Sequence, residues 1–486
     1  MSDLRPTLQA KFAIEHRFDN FGPVLMQLHV KGFRCHNNTL IEIGSPISAF
    51  CGLNGTGKST LLQLAAAACK RPTAQEELPT YYIKDFLVAG KLDPNPFSDQ
   101  ATVEYKFWEQ DRSLKSLTIS RVATTKRWSG YGRRPERVVL FAGVSSYLPW
   151  VEQRHAVARH AADLTVENTE DVAAQIRTWT SAVLDRQYDN MQRNTVSYAT
   201  QKRAVVSVQR GASRYSEAHM GYGEARSQFL IAKIESLPLK SLVLIEEPEI
   251  SLHSHAQHQL GRFLVDVSVR KGHQILLTTH SEPLLGALPS DSRLYLHGGA
   301  AGIEVISGLT ALEAKSLMTR GHEKALHVLV EDAVASAILR ELLRRVDPTF
   351  LSTTALYVAG GASQLTGAIR TIKATGLPVA VVLDGDKPAV PNANIFKLPG
   401  TQPPEKELFA NTGVRALIHS TYALNLPDFA AGLGGVDHHE WCSRLAERVN
   451  VSEDALVAEM ARAYANGISE LEATSLRDQL KEASRR

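Results

Sequence analysis

The sequence predicts an α/β protein built from two parallel-sheet units in series, followed by a helical tail. Three observations carry that expectation. A Gly-rich loop, residues 52–59, joins an apolar strand-like segment to a helical run. Two continuous apolar runs, residues 241–245 and 274–279, have the composition of strands buried on both faces. Beyond about residue 325, short apolar runs alternate again with helical stretches, the pattern of a parallel sheet with crossover helices.

The totals set the bounds. A chain of 486 residues can hold two to four domains. An apolar fraction of 44% and a charged fraction of 22% are ordinary for a globular chain and exclude a disordered one. A net charge of +3 leaves room for a nucleic-acid surface only as a local patch. Cys35, Cys51, Cys69 and Cys442 are scattered with no C-x-x-C spacing, which points to a reducing cytoplasm and away from a disulfide framework or a zinc site. The first residues lack a signal-peptide core, and no apolar run approaches the roughly 18 residues that span a bilayer, so a cytoplasmic protein without a membrane partner is expected.

Taken in order, residues 25–30 and 39–43 read as strands on either side of Lys31-Gly32-Phe33-Arg34. The Gly-rich loop follows. Residues 71–149 mix strand-like runs (101–105, 138–141) with turns. Residues 150–215 are polar and rich in Ala, Arg and Gln, which predicts a helical insertion, too short and irregular in heptads for a long coiled-coil arm. An amphipathic helix at 226–235 precedes the first buried strand, and a helix at 255–270 precedes the second. Strands are then expected at 327–330, 355–358 and 378–383, with helices at 332–345 and 363–375 between them. The tail from about 411 is helical. The expected domains are 1–320, 321–410 and 411–486.

The loop fits Gly-x4-Gly-Lys-Ser from Gly52 to Ser59, a pattern in which each part has a mechanical job. Glycines let successive N–H groups of Asn54, Gly55, Thr56 and Gly57 turn inward onto phosphate oxygens. Lys58 would meet the β- and γ-phosphates, Ser59 would ligate Mg²⁺, and the helix that opens at Thr60 adds its positive end. A nucleoside triphosphate, ATP, is the expected ligand. Glu246 and Glu247 end the first buried strand. Glu246 would hold the Mg²⁺ shell, and Glu247 would polarise an attacking water. His280, at the end of the next strand, is placed to sense the γ-phosphate.

A second set of carboxylates sits on strand ends. Glu331 follows residues 327–330, and Asp384 and Asp386 follow residues 379–383. Parallel strands align their carboxyl ends along one rim, where three carboxylates can hold Mg²⁺, with Mn²⁺ as the alternative, for phosphodiester chemistry. Glu405 is a further candidate ligand. Residues 126–137 form the densest basic stretch, with interleaved Trp128 and Tyr131, and read as a solvated hairpin or a DNA-contacting loop. Residues 201–214, with Lys202, Arg203, Arg210 and Arg214, are also basic. His253, His255 and His258 offer metal-ligand types, yet nothing ties the last two to chemistry. Residues 437–442 (Asp-His-His-Glu-Trp-Cys) do too, but Asp437 at a helix start is more simply an N-cap.

Taken together, Gly52–Ser59, Leu244-Ile245-Glu246-Glu247-Pro248-Glu249-Ile250 with Leu252-His253, and Thr278-Thr279-His280-Ser281 resemble the ABC-type ATPases of the SMC-like group. The closer likeness is to ATPases of the overcoming-lysogenisation-defect (OLD) family of prokaryotic defence proteins. Lys31-Gly32-Phe33-Arg34 fits the same pattern. The resemblance implies a homodimer through the ATPase heads, at least with ATP bound, in which a signature loop completes the partner's site. Its counterpart is Met220 to Glu224, with Gly223 as a nucleotide contact and Gly221 where a serine normally stands. The order Glu331, then Asp384-x-Asp386, resembles a Toprim domain, and ATPase followed by Toprim is the order of OLD-family nucleases. The chain departs from that pattern at Ala335, where a further carboxylate is usual. The implied function is an ATPase that gates a metal-dependent DNA nuclease in antiviral defence. The alternative is a Septu-like sensor and scaffold ATPase, with a degenerate Toprim-like part and a separate nuclease subunit.

Overall fold

The computed structural model describes residues 2–75, 77–148, 161–300 and 302–485. The chain divides into two compact units, residues 1–314 and 315–486.

The first unit is organised around a six-stranded sheet. In spatial order its strands are Gly302–Ser307, Arg293–Gly299, Ile47–Gly52, Gln274–Thr278, Leu242–Glu246 and Val139–Ala142. The last five run parallel, and Gly302–Ser307 pairs antiparallel at one edge. Every residue of Ile47–Gly52 and Gln274–Thr278 is buried, which is why these segments are continuous apolar runs rather than alternating ones. A five-stranded antiparallel sheet (His36–Glu42, Val24–Phe33, Phe97–Trp108, Leu114–Val122, Arg127–Ser129) supplies a second layer. The helix Lys58–Ala66 belongs to both. Its Leu61, Leu62 and Leu64 share one core with Leu28, Val30 and Tyr105 of the antiparallel sheet and with Leu244 and Leu276 of the parallel one. The Tyr105 hydroxyl donates to the Leu64 carbonyl at 2.8 Å, which satisfies a buried polar group inside that core.

The helical insertion expected at 150–215 is corrected. Residues 149–160 lie outside the described residues. Beyond them an antiparallel sheet forms from Thr165–Asp171, Asn190–Tyr198, Gln201–Arg210 and Ser213–Ser216, with a single longer helix, Ala174–Leu184. Helix propensity from Ala, Arg and Gln is outweighed by cross-strand packing: Val196 meets Val205, and Tyr188 and Met191 meet Val208. Tight hairpins at Ala199 (φ +53°) and Gly211 (φ +56°) fix the register.

The second unit is a four-stranded, all-parallel sheet in the order Thr354–Val358, Leu326–Val330, Val379–Leu383, Ile395–Lys397. Alternate residues face opposite sides, as pleating requires. Val328, Val330, Ala380 and Val382 join one core with the helix Ala333–Val346, whereas Leu329, Val381 and Leu383 pack on Leu365 and Ile369 of the helix Ala362–Ala374. The tail helices Trp441–Val449, Glu453–Gly467 and Glu470–Arg485 put Leu445, Met460 and Leu480 into the first of those cores. The tail is therefore one face of this unit, not a separate body. No helix among the described residues is long and apolar enough to cross a membrane.

Candidate functional site

The loop between Ile47–Gly52 and Lys58–Ala66 curls as its glycines dictate. Gly52, Gly55 and Gly57 have φ of +143°, +83° and +79°, a region that side-chain-bearing residues rarely adopt. Lys58 is almost buried, and its ammonium donates to the carbonyls of Gly52 and Leu53, both at 3.0 Å. The Thr56 hydroxyl donates to Leu53 O at 2.9 Å, while Asn54 and Gly55 are exposed. Ser59 is exposed on the first turn of the helix, and Thr60 is buried beneath it. Burial lowers the Lys58 pKa, against the pull of Glu247, Cys51 and Glu249.

Sequence reasoning missed His36, which braces this loop. Its Nε2 lies 3.1 Å from Gly57 O and its Nδ1 3.1 Å from Thr39 Oγ1. Burial holds the imidazole below its ordinary pKa, so it is neutral; Nε2–H donates to the carbonyl and Nδ1 accepts from the hydroxyl. A Cβ on Gly57 would fall 2.1 Å from that Nε2. A buried His three residues before a Thr within a hairpin is the only signal the sequence carries for this contact.

The downstream glutamates and His280 come from adjacent parallel strands. Leu242–Glu246 pairs with Gln274–Thr278, with Glu246 opposite Thr278, so Glu247 and His280 emerge side by side. His280 Nε2 lies 3.8 Å from Glu247 Oε1. Glu247 has φ of +42°, a conformation that costs a non-glycine residue energy and persists only where its surroundings impose it. They do so through two hydrogen bonds from its amide, to Thr278 O at 3.1 Å and Thr278 Oγ1 at 3.2 Å. Glu246 keeps a buried Oε1 with no protein partner, the kind of orphan oxygen that fits a bound cation or its water. Its backbone oxygen accepts from the buried guanidinium of Arg226 at 2.9 Å. His280 is held below its ordinary pKa by burial and then by Lys58, with Glu247 opposing, so the three groups share one electrostatic environment.

Glu249 acts behind this pair. Its Oε1 accepts from Thr279 Oγ1 at 2.6 Å and from the His280 amide at 2.8 Å. His253 caps the helix Ser254–Lys271 by accepting from the Ala256 amide, and His255 stacks on it. Gly223 sits at the start of the helix Tyr222–Ser236, where a Cβ would fall 2.3 Å from Ser251 O; its bareness lets that helix pack on the turn after Glu247. Its neighbour Glu224 accepts from Tyr188 and Tyr215 hydroxyls at 2.6 and 2.8 Å and pairs with Arg186, tying the helix to the inserted sheet.

The basic stretch 126–137 is divided: Lys126, Arg127 and Arg133 are exposed, the first two on a hairpin as one reading expected, whereas Arg134 and Arg137 are buried. Arg134 is buried and donates to the carbonyls of Tyr131, Ala67, Cys69 and Tyr81. Arg137 is buried too, donating to Pro23 O, Lys240 O and Gln274 Oε1. Trp128 stacks on Phe33 at 5.6 Å. These cations satisfy buried carbonyls where strands and loops meet. In 201–214, Lys202 pairs with Glu167 and Arg214 with Gln192.

In the second unit, Glu331 and Asp384 follow neighbouring parallel strands from which the chain departs in opposite directions across the sheet, the switch point where such folds bind ligands. The Asp384 amide donates to Glu331 Oε1 at 3.3 Å. Asp384 is buried with an unpartnered Oδ1, and its pKa is raised to about 7 by burial and then by Glu331, Asp332, Glu405 and Asp386. A buried orphan carboxylate in the field of four other acids fits a divalent cation, although the ligand atoms of Glu331, Asp384 and Asp386 do not gather within 4.8 Å of one another. Asp386 is more exposed and pairs with Lys387 at 2.8 Å. Gly385 is needed for close approach, since a Cβ there would lie 2.9 Å from the Gly400 carbonyl carbon.

Ala335 is wholly buried in the core, and the position supplies no carboxylate to the rim. Asp332 caps the helix Ala333–Val346 with Oδ1, accepting from the Ala335 amide at 2.8 Å, and leaves Oδ2 without a hydrogen bond. Asp437 caps as expected, accepting from the His439 amide at 3.2 Å. The next two residues do more. His439 Nδ1 lies 3.3 Å from Glu405 Oε1 and 3.9 Å from Asp332 Oδ2. Burial opposes it, but Glu405, Asp437 and Asp332 together hold His439 above its ordinary pKa.

Two family models match the first unit. Residues 98–286 match one described as "AAA domain, putative AbiEii toxin, Type IV TA system", and residues 27–129 match one described as "AAA domain". No curated protein matches the chain. Among solved structures, the SMC head domain from Thermotoga maritima is 15% identical, with 58% of this chain and 98% of that one covered and a TM-score of 0.35. An SMC head bound to the C-terminal winged-helix domain of ScpA is 15% identical, covering 59% and 98%, with a TM-score of 0.39. The Pyrococcus furiosus SMC head with an extended coiled coil, bound to the C-terminal domain of ScpA, is 12% identical, covering 61% and 99%, also at 0.39. By the two family matches, the first unit carries an AAA-type ATPase domain that binds nucleotide.

Proposed function

We propose that the chain is an ATP-hydrolysing enzyme of the ABC/SMC-like type, whose nucleotide state gates a metal-dependent DNA nuclease in its second unit. The observation that carries the ATPase half is the juxtaposition of Glu247 and His280, 3.8 Å apart, in the electrostatic reach of Lys58. In this reading Lys58 and the loop amides hold the β- and γ-phosphates. Glu247 orients the attacking water and accepts its proton. Neutral His280 donates a hydrogen bond toward the γ-phosphate. Ser59 and Glu246 would hold Mg²⁺, which neutralises phosphate charge when bound.

For the second unit, Glu331, Asp384 and Asp386 would hold Mg²⁺ or Mn²⁺, a cation that supplies charge stabilisation to an in-line phosphodiester displacement. Resemblance to OLD-family proteins supports antiviral defence as the setting and a homodimer of ATPase heads as the assembly. The match to a model described by a toxin of a toxin–antitoxin system is compatible with that setting. One observation favours a second reading. The buried Ala335 removes a carboxylate from the rim, as in a Septu-like scaffold that regulates a separate nuclease subunit. The ATPase half is tested by Glu247→Gln. Nucleotide binding is retained while turnover falls by about 10²–10⁴-fold, the range for loss of a general base; retained turnover would move the base elsewhere.

A further inference from the structure

Next to the three-carboxylate rim, and within the electrostatic reach of its Asp384, lies a different kind of cluster. Glu405, on the helix Pro404–Ala410, is 1% exposed and leaves its Oε2 without a protein partner. His438 and His439 begin the short turn before the helix Trp441–Val449. One ligand atom from each of Glu405, His438 and His439 falls within 4.8 Å of the others, the one such group among the described residues. We propose that Glu405, His438 and His439 form a binding site for a first-row transition ion of the Zn²⁺ class, with Asp332 available as a fourth ligand.

The donor set distinguishes this site from its neighbour. Three carboxylates suit hard cations such as Mg²⁺, whereas two imidazoles with one or two carboxylates suit Zn²⁺ and ions like it. The spacing is close to what coordination requires. Ligand atoms about 2.1 Å from a tetrahedral ion sit roughly 3.4 Å apart. His439 Nδ1 and Glu405 Oε1 are already 3.3 Å apart, and Asp332 Oδ2 is 3.9 Å from the same nitrogen. The histidines can close the remaining gap by side-chain rotation, because His438 and His439 are 26% and 56% exposed in their side chains. That exposure also gives an ion a way in, while the buried Glu405 supplies a fixed anionic anchor. Its orphan oxygen is the second, independent sign of a ligand: a buried carboxylate is not left half-satisfied without cost.

This site does not depend on whether the neighbouring rim cleaves DNA, and the test keeps the two apart. The full chain is stripped with chelator and titrated with Zn²⁺, and separately with Co²⁺ while its visible ligand-field absorption is followed. Wild type is expected to bind one equivalent of Zn²⁺ that His438→Ala/His439→Ala loses and Asp384→Asn keeps. The Co²⁺ spectrum should report nitrogen ligands in wild type and Asp384→Asn only. Glu405→Gln, which preserves shape at the buried position, should lose the same equivalent. Thermal melting of each variant shows that the fold survives. Zn²⁺ stoichiometry unchanged in the double histidine variant would overturn the proposal, as would an equivalent lost in Asp384→Asn but kept in that variant.

Discussion

The carboxylate of Glu249 accepts the backbone N–H of His280 at 2.8 Å and, with the same oxygen, the hydroxyl of Thr279 at 2.6 Å. A buried acid in the turn after one strand thus sets the path of the chain that carries His280 after the next. Glu249→Ala leaves the Thr279 hydroxyl and the His280 amide unpaired in a buried place, at about 1–3 kcal/mol each. Denaturant unfolding should register that loss. Because misplacing a catalytic group by about 1 Å can cost on the order of 100-fold, turnover should fall on that scale while nucleotide affinity changes little. Equal losses in affinity and turnover would make Glu249 a general support of the nucleotide site instead.

Gly57 has no room for a side chain: a Cβ would land 2.1 Å from His36 Nε2 on a backbone with φ of +79°. Gly57→Ala should therefore abolish ATP binding and destabilise the first unit by more than the roughly 1–2 kcal/mol of the left-handed conformation alone. His36 makes the closest part of the clash, with Cys35 Sγ next at 2.7 Å. Gly57→Ala with His36→Ala should be less destabilised than the sum of the two single variants in a denaturant double-mutant cycle. Strict additivity would show that His36 does not brace the loop.

The first unit is expected to lose stability in acid through His273. The residue is fully buried and accepts the Ser241 amide on Nδ1 at 3.2 Å. Burial first, then Lys271 and Arg137, push its pKa down to about 3. Between that value and the ordinary 6.5 the unfolded chain binds a proton that the folded one refuses, so this contribution to stability is present above pH 6.5 and lost as pH falls. The slope is at most about 1.4 kcal/mol per pH unit. Urea unfolding of wild type and His273→Gln from pH 7 to pH 4.5 should give diverging profiles, wild type falling faster; parallel profiles would assign the acid sensitivity to other groups.

Much of this was legible because single residues impose it. Gly52, Gly55 and Gly57 fix a loop whose shape only glycine tolerates, and the unbroken apolar runs before Glu247 and His280 can only be strands covered on both sides. What stayed hidden depends on partners distant in the chain. His439 comes within hydrogen-bond distance of Glu405, 34 residues away, and the histidine pair reads as a helix start when taken by itself. Arg134 and Arg137 looked like surface charge because composition does not record that backbone carbonyls surround them. The inserted sheet was missed for the same reason. Val205 and Val208 become informative only when Val196 and Met191 are brought across to pack on them.

The central claim is that nucleotide in the first unit governs metal-dependent cleavage by the second. It is tested most directly by incubating the full chain with double- and single-stranded DNA, with and without ATP, in Mg²⁺ or Mn²⁺. Wild type is compared with Asp384→Ala, a change that removes the buried orphan carboxylate of the rim. The account predicts cleavage that requires the metal, changes with ATP and disappears in Asp384→Ala. Cleavage that is absent with either metal, or that persists in the variant, would contradict it.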